Sequence, residues 1–474
     1  MKAASTTNKG LPAEAGSGLI EILIAIAVLA LGVSAAVLLS FANQTLKIDS
    51  ETNSEALGKA QALLENERAE SRLAFNLVNP ILPFADGIYT KRVEVEAFPP
   101  DFLTKKVTSV VNWLGEGNRS LSIELSTLVT NYGDITETCN SVLSGDWANP
   151  QLLGNVDVGQ NNGATDVDIF MRKAYVTADP AASEKPDFFI IDVSDPNASP
   201  LPIFGGDGID TGEGLEAVHV SGNYAYVANR SINGQLQVID ISNHLSPFIA
   251  TTTKIISVTG GGAYGKSIFY TNGYVYLGLY NTATGPEFNI LDVSDPLEPV
   301  WKGGYSINHE INAIYVKDDL AYIASPDNQE LIILDVSDPE NPILHADLNL
   351  SDNSANGKSI DIVGNTLFLG RTVGLSPATR EFQLVDITDT SDPDPTASAN
   401  VDSTINALRI RDNLAFMVTN EPSLGFQIWD LNTMTLYGSE NVEQTSTGGM
   451  DCEGNYIYIA QRSNKALQIV GPGP

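Results

Sequence analysis

The sequence predicts a chain in two parts: a long N-terminal α-helix plus a small antiparallel β-sheet, followed by an all-β seven-bladed β-propeller. Three observations predict it. An uncharged apolar run of 21 residues, Ile22 to Ala42, continues into a stretch rich in Ala, Leu, Glu, Gln and Lys. Residues 88–132 then alternate apolar and polar with period two. Beyond them an aromatic motif recurs seven times at spacings of 42 to 51 residues.

Composition bounds the function classes. The 474 residues carry a formal charge of −32. Residues 1–138 contribute −5 of it and residues 139–474 contribute −27. So acidic a body argues against nucleic acid and against docking on anionic lipid. Two cysteines, Cys139 and Cys452, exclude a disulfide-dense miniprotein and a four-cysteine zinc site. The four histidines are scattered without ligand spacing.

The helix comes first. About 20 apolar residues span a bilayer as a helix, and Lys2 and Lys9 ahead of the run place its N-terminus in the cytoplasm. Apolar residues at Leu57, Ala60, Leu64, Leu73 and Leu77 keep a near-helical spacing until Asn79-Pro80 stops it. A helix over 17–79 would be ~90 Å long at 1.5 Å per residue. Within it stands Glu21, a carboxylate in a hydrocarbon-length segment. Such a group is costly and marks a function.

The stretch "GSGLIEILIAIAVLALG" resembles the class III leader junction of type IV pilins and of type II secretion pseudopilins. The resemblance implies a leader at 1–16, cleavage by a prepilin peptidase between Gly16 and Ser17, and N-terminal methylation at Ser17. It implies that Glu21, fifth in the mature chain, neutralises the free amine of a neighbouring subunit during filament assembly. A buried carboxylate needs such a positive partner. The family usually carries Phe or Met where this chain has Ser17.

The sheet follows at 80–138. "IYTKRVEVEAF", "KKVTSVVNWLG" and "RSLSIELSTLVTNY" read as strands, with Gly115–Asn118 turning between the last two. They are similar to the small antiparallel sheet of minor pilins and pseudopilins.

The repeats fill 139–474. Their aromatics are Tyr175, Tyr226, Tyr276, Tyr322, Phe368, Phe416 and Tyr458. Most copies continue into a second signature, such as "FNILDVSDPLEP" or "LIILDVSDPENP". Each unit therefore reads as four short strands, the pattern of a propeller blade. Asp192, Asp240, Asp292, Asp335, Asp386 and Asp430 read as turn residues, because Asp caps a turn that Pro then fixes. The last unit lacks a fourth strand, and the pattern at 147–159 supplies one, closing the ring without an exposed edge. The repeats resemble the LVIVD-repeat propeller family.

Cys139 lies just before the closing strand and Cys452 in the first strand of the last unit. Bonded, they would clasp the ring. The alternative is an ordinary core cysteine, since Cys452 aligns with Val220 and Ile169. "GGDGIDTGEG" offers Asp207, Asp210 and Glu213 on a Gly-rich loop. It lacks the regular ligand alternation of a calcium loop and reads as a solvated turn, with calcium as the alternative. No phosphate loop, nucleophile elbow or metal-spaced cluster is present, so no catalytic residue, resident metal or cofactor is expected and the chain is read as no enzyme.

The leader and the repeats together imply a minor-pilin-like subunit. It would be stored in the inner membrane as a precursor and then built into an extracellular filament with other pilin subunits. There it would display the propeller to an unknown surface ligand. The alternatives are a type II secretion pseudopilin with a partner-binding propeller and a membrane-tethered propeller that does not assemble.

Overall fold

The computed structural model describes residues 51–68, 80–98, 101–115, 118–130, 139, 142–159, 162–180, 185–326, 329–350, 355–376, 379–442, 447–463 and 465–474. The chain divides into two compact units, one of residues 1–98 and 104–131, the other of residues 99–103 and 132–474.

The described part of the first unit is a helix, α1 (51–68), and a four-stranded antiparallel meander. Its strands are β1 (Ile81–Asp86), β2 (Tyr89–Phe98), β3 (Asp101–Leu114) and β4 (Ser120–Thr130), in that order. Ala56, Ala60, Leu63 and Leu64 of α1 are buried against Val93, Val107, Val111 and Trp113 of the sheet. The Ser109 hydroxyl donates to the Ala60 carbonyl at 2.9 Å, tying helix to strand. Lys59 bridges to Asp86 at 2.8 Å, beside Gly87, which takes φ +65° in the β1–β2 turn.

These residues correct the expected fold class. A helix of some sixty residues over 17–79 is not what they show. They are nearly all β, with one short helix, and no helix among the described residues is long and apolar enough to cross a membrane. What holds the described helix is packing, because most helical stability comes from burying one face. In α1 the sheet covers Ala56, Ala60 and Leu64, while Leu57, expected on the apolar stripe, stays exposed. Gly16, Ser17 and Glu21, with the rest of 1–50, lie outside the described residues. The strand β1 was not expected; Pro83 interrupts its pattern, which an edge strand tolerates.

The second unit is a propeller-like ring of seven sheets. Six have four strands and one has three. The inner strands are Asn162–Phe170, Leu215–Ser221, Gly265–Thr271, Ala313–Lys317, Gly357–Val363, Ile405–Arg411 and Thr447–Glu453. Each packs beside the next, and the last packs beside the first, so the ring is closed. The fourth strand of the last sheet is Asp146–Val156, paired antiparallel with Leu467–Gly473. The three-stranded sheet (Asn162–Phe170, Lys173–Pro180, Phe188–Asp192) meets its outer segment through isolated bridges, Ile191 to Ile203 and Phe188 to Ile209, and through backbone bonds beside them, such as Asp192 to the Pro202 carbonyl at 2.8 Å. Gly205, Gly206 and Gly208 there take φ of 72°, 93° and 75°, which breaks extended pairing.

The seven repeated aromatics are all buried between sheets. The aspartates that end the third strands cap turns: Asp292 accepts from the Ser294 amide at 3.0 Å and its hydroxyl at 2.7 Å. Asp335 does the same with Ser337, and Asp192, Asp240, Asp386 and Asp430 accept from the amide two residues on. One recurrent feature of the sheets escaped the sequence reading. Glu287, Glu330 and Glu381, just before their third strands, reach back to accept from Ile307, Leu350 and Val401 amides, each at 2.9 Å. Asp187 and Gln235 take the same place towards Thr211 and Ile255. A carboxylate or amide thus fastens the outer loop to its own sheet in five of the seven sheets, Gly425 and Ala466 standing at that place in the other two.

Candidate functional site

The ring surrounds an axial channel, and the repeat places its lining. Seven residues before each buried aromatic stand Asp168, His219, Phe269, Tyr315, Asp361, Arg409 and Asp451. Each pairs across the ladder with that aromatic: Asp168 with Tyr175, His219 with Tyr226, Arg409 with Phe416, Asp451 with Tyr458. All seven line one cavity of about 350 Å³. Three residues earlier in each unit stand Thr165, Glu216, Lys266, Asn312, Lys358 and Asn406, with Gly448 in the last sheet. They line a second cavity of about 250 Å³. Asp166, Ile268, Ile314, Ile360 and Arg409 border both cavities and form the waist between them.

The wider tier is acidic, and its carboxylates have structural work. Asp168 accepts from the Val220 amide at 2.5 Å, Asp361 from Ile410 at 2.7 Å, Asp451 from Ile169 at 2.8 Å and Asp166 from Val218 at 3.1 Å. Each bond crosses to the next inner strand, so one carboxylate oxygen per residue stitches neighbouring sheets. Arg409 supplies the compensating charge, its Nε donating to Asp451 at 3.4 Å. Burial nevertheless dominates. It pushes the Asp166 carboxyl up to about 7, against the Val218 amide and Arg409. It raises Asp168 well above the carboxylate range, with the Asp451 charge adding to the effect. Burial holds His219 down to about 4, and its ring packs edge-on against Phe269 at 5.3 Å. In this tier burial thus favours the uncharged forms of Asp166, Asp168 and His219.

The mouth tier is different. Lys266 pairs with Glu310 at 2.6 Å and donates to Asn312 at 2.7 Å. Arg230 pairs with Asp179 and, at 3.2 Å, with Glu216. Arg462 lies 3.6 Å from Asp179 and 3.7 Å from Glu216. The neighbouring positions are kept small: a Cβ on Gly449 would run into the Asp166 carboxylate, and one on Gly448 into the Thr165 backbone. Ser267 and Ser359 give their hydroxyls to the Ile311 and Ile405 carbonyls of the next strands, at 3.0 and 3.1 Å. The arrangement can hold charge at a polar opening above an apolar wall of Ile268, Ile314 and Ile360.

The residues singled out from the sequence fall elsewhere. Cys139 and Cys452 form a disulfide across 313 residues, beside the wide end of the channel. Asp451 lies near both sulfurs, but bonded cysteines offer no thiolate, so that group is no metal site. Asp207, Asp210 and Glu213 are exposed, and no group of metal ligands forms from them among the described residues. The Asp210 carboxylate instead accepts from the Gly212 amide at 2.9 Å, closing a turn. Gly16, Ser17 and Glu21 lie outside the described residues. The sequence reading missed the whole channel lining. Its signal was available: aligning the units on the aromatic brings the polar residues into register at one fixed offset.

Comparison with known proteins agrees with this architecture. The LVIVD repeat family matches residues 216–253 and 311–349. No curated protein matches the chain. Among solved structures, the chain is similar to a virginiamycin B lyase from Staphylococcus aureus, at 11% identity and a TM-score of 0.50. That match covers 68% of this chain and 98% of the lyase. A computationally designed protein, Ika8, matches at 12% identity and a TM-score of 0.46, over 68% of this chain and 99% of that one. At such identity the lyase bears on fold alone. The chain therefore carries LVIVD repeats in a propeller-like, repeated-sheet domain.

Proposed function

We propose that this chain is a minor-pilin-like subunit that presents its propeller-like ring as a binding head on an extracellular filament. The observation that carries the reading is the spacing of Gly16 and Glu21 ahead of the uncharged run Ile22 to Ala42. A chance anchor has no need of a glutamate fifth after a glycine, and an intramembrane carboxylate calls for a partner charge. A helix packed on a four-stranded meander, followed by a large acidic ring, is compatible with a subunit that anchors by one part and displays the other. In this reading the partners are other pilin subunits and a prepilin peptidase, and the inner membrane holds the precursor. The ring binds; it carries out no reaction.

Mass spectrometry of the mature N-terminus, on protein from sheared surface filaments, tests the reading. The expected result is a peptide that begins at Ser17 with a methylated amine. An intact Met1, or no protein in the sheared fraction, would overturn it.

A further inference from the structure

The narrow mouth of the channel has a charge count that does not close. Among the described residues, five cations stand at or around this cavity: Arg230, Lys266, Lys358, Arg409 and Arg462. Four carboxylates stand there too, Asp166, Asp179, Glu216 and Glu310; the ion pairs of Arg230, Lys266 and Arg462 use the last three, and Arg409 pairs with Asp451 of the wider tier. The Lys358 ammonium takes part in none of these pairs and, among the described residues, makes no hydrogen bond. It is half-buried, on the inner strand Gly357–Val363, and lines the 250 Å³ cavity. Its neighbours supply no partner. The Asn312 amide is engaged between Lys266 and the Gly357 carbonyl, and the Ser359 hydroxyl is spent on Ile405. Burial, with the Lys266 charge adding to it, lowers the affinity of Lys358 for its proton. The Glu310 and Glu216 charges act on it in the opposite sense without offsetting burial. A half-buried ammonium without an ion-pair partner is costly, and a bound anion lowers that cost.

We infer that the mouth cavity is a binding site for a small monocarboxylate, anchored by Lys358 and seated against Ile314 and Ile360. The excess charge selects a monoanion. A dianion such as phosphate would meet one unpaired ammonium and stand beside Glu216 and Glu310. The general field does not produce this site, because residues 139–474 carry −27 overall and repel anions. The attraction is local and made by one side chain, while the isoleucine wall takes the ligand body.

The inference deepens the reading of the ring as a binding head and rests on it, but not on processing at Gly16. The test is calorimetric titration of the full-length chain in detergent with propionate, gluconate and inorganic phosphate. At least one of the two carboxylates should bind saturably at one site, and phosphate should neither bind there nor displace it. Lys358→Met should weaken binding about tenfold or more, the loss of a hydrogen bond to a charged group. Lys358→Arg should retain binding, and Lys254→Met, on an exposed lysine of the outer strand's end, should leave it unchanged. A readout that needs no variant is reductive methylation with peptide mapping, where the bound carboxylate should protect Lys358 and not Lys254. Binding of neither carboxylate, binding indifferent to Lys358→Met, or tighter binding of phosphate would each overturn the inference. A chain that begins at Ser17 yet binds neither carboxylate would sink this site alone. One that binds but keeps Met1 would sink the filament reading alone.

Discussion

Asp166 shows how much one position in the channel decides. Its side chain needs the missing Cβ of Gly449 beside it, borders both cavities and bonds the Val218 amide. Burial is the largest influence on its carboxyl, raising it from 3.8 to about 7. The sign of the resulting pH dependence follows. Between those values the folded state holds a proton that the unfolded state has released, so stability falls as pH rises, and the loss is complete above about 7. Asp166→Asn should remove this contribution while keeping an acceptor for Val218. Urea unfolding at about pH 4.5 and 7.5 should show a smaller fall between the two conditions for the variant than for the parent chain. An equal fall would mean that other carboxyls of the tier, Asp168 and Asp361 first, set the slope.

Within a sheet, the acidic residue before the third strand does what the backbone ladder cannot. The loop that follows each outer strand leaves amide donors that no neighbouring strand accepts, and Glu287, Glu330 and Glu381 satisfy them. At Glu330 the device is reinforced by a fully buried ion pair, with Arg371 donating to Oε1 at 2.8 Å and side chains 0% and 1% exposed. Arg371 also donates to the Ala355 carbonyl at 3.1 Å, holding the start of the next sheet. Arg371→Met would strand a buried carboxylate, and its cost should be about 3–5 kcal/mol. Equilibrium denaturation checks this, and a change under about 1 kcal/mol would show that Glu330 is simply protonated in the variant. The aspartates at the far ends of the third strands are half-buried, with Asp386 exposed, and none is fully buried, so their single loss should matter less.

For the whole molecule, closure is the problem a ring must solve. The last sheet takes its outer strand, Asp146–Val156, from the opposite end of the chain segment, and the Cys139–Cys452 bond adds a covalent clasp at that seam. Leu143 and Ser144 amides add bonds to Asp412 and Asn455, at 2.9 and 3.0 Å. A bond across so long a loop restricts the unfolded chain strongly. Cys139→Ser should lower the stability of the ring by roughly 2–5 kcal/mol, and reductant should lower the melting temperature of the parent chain but not of the variant. Equal response of both proteins to reductant would show the clasp to be energetically idle.

The sequence by itself determined the repeat, the aromatic of each unit, the Asp-capped turns and hence the LVIVD, propeller-like character of the larger part. Those features are local, because strand alternation and turn chemistry act over a few neighbouring residues. It overstated the helix, because composition reports propensity and only burial against β1–β4 selects which residues of α1 face inward. The channel was written in the sequence at fixed offsets, yet its meaning was not, since seven residues far apart along the chain become a lining only when the ring closes. Which carboxylates are stitched to amides, which cations are paired, and that Lys358 is left over are matters of distance between strands some fifty residues apart. Tertiary structure alone decides them, because electrostatic partners are set by proximity in space and not by position along the chain.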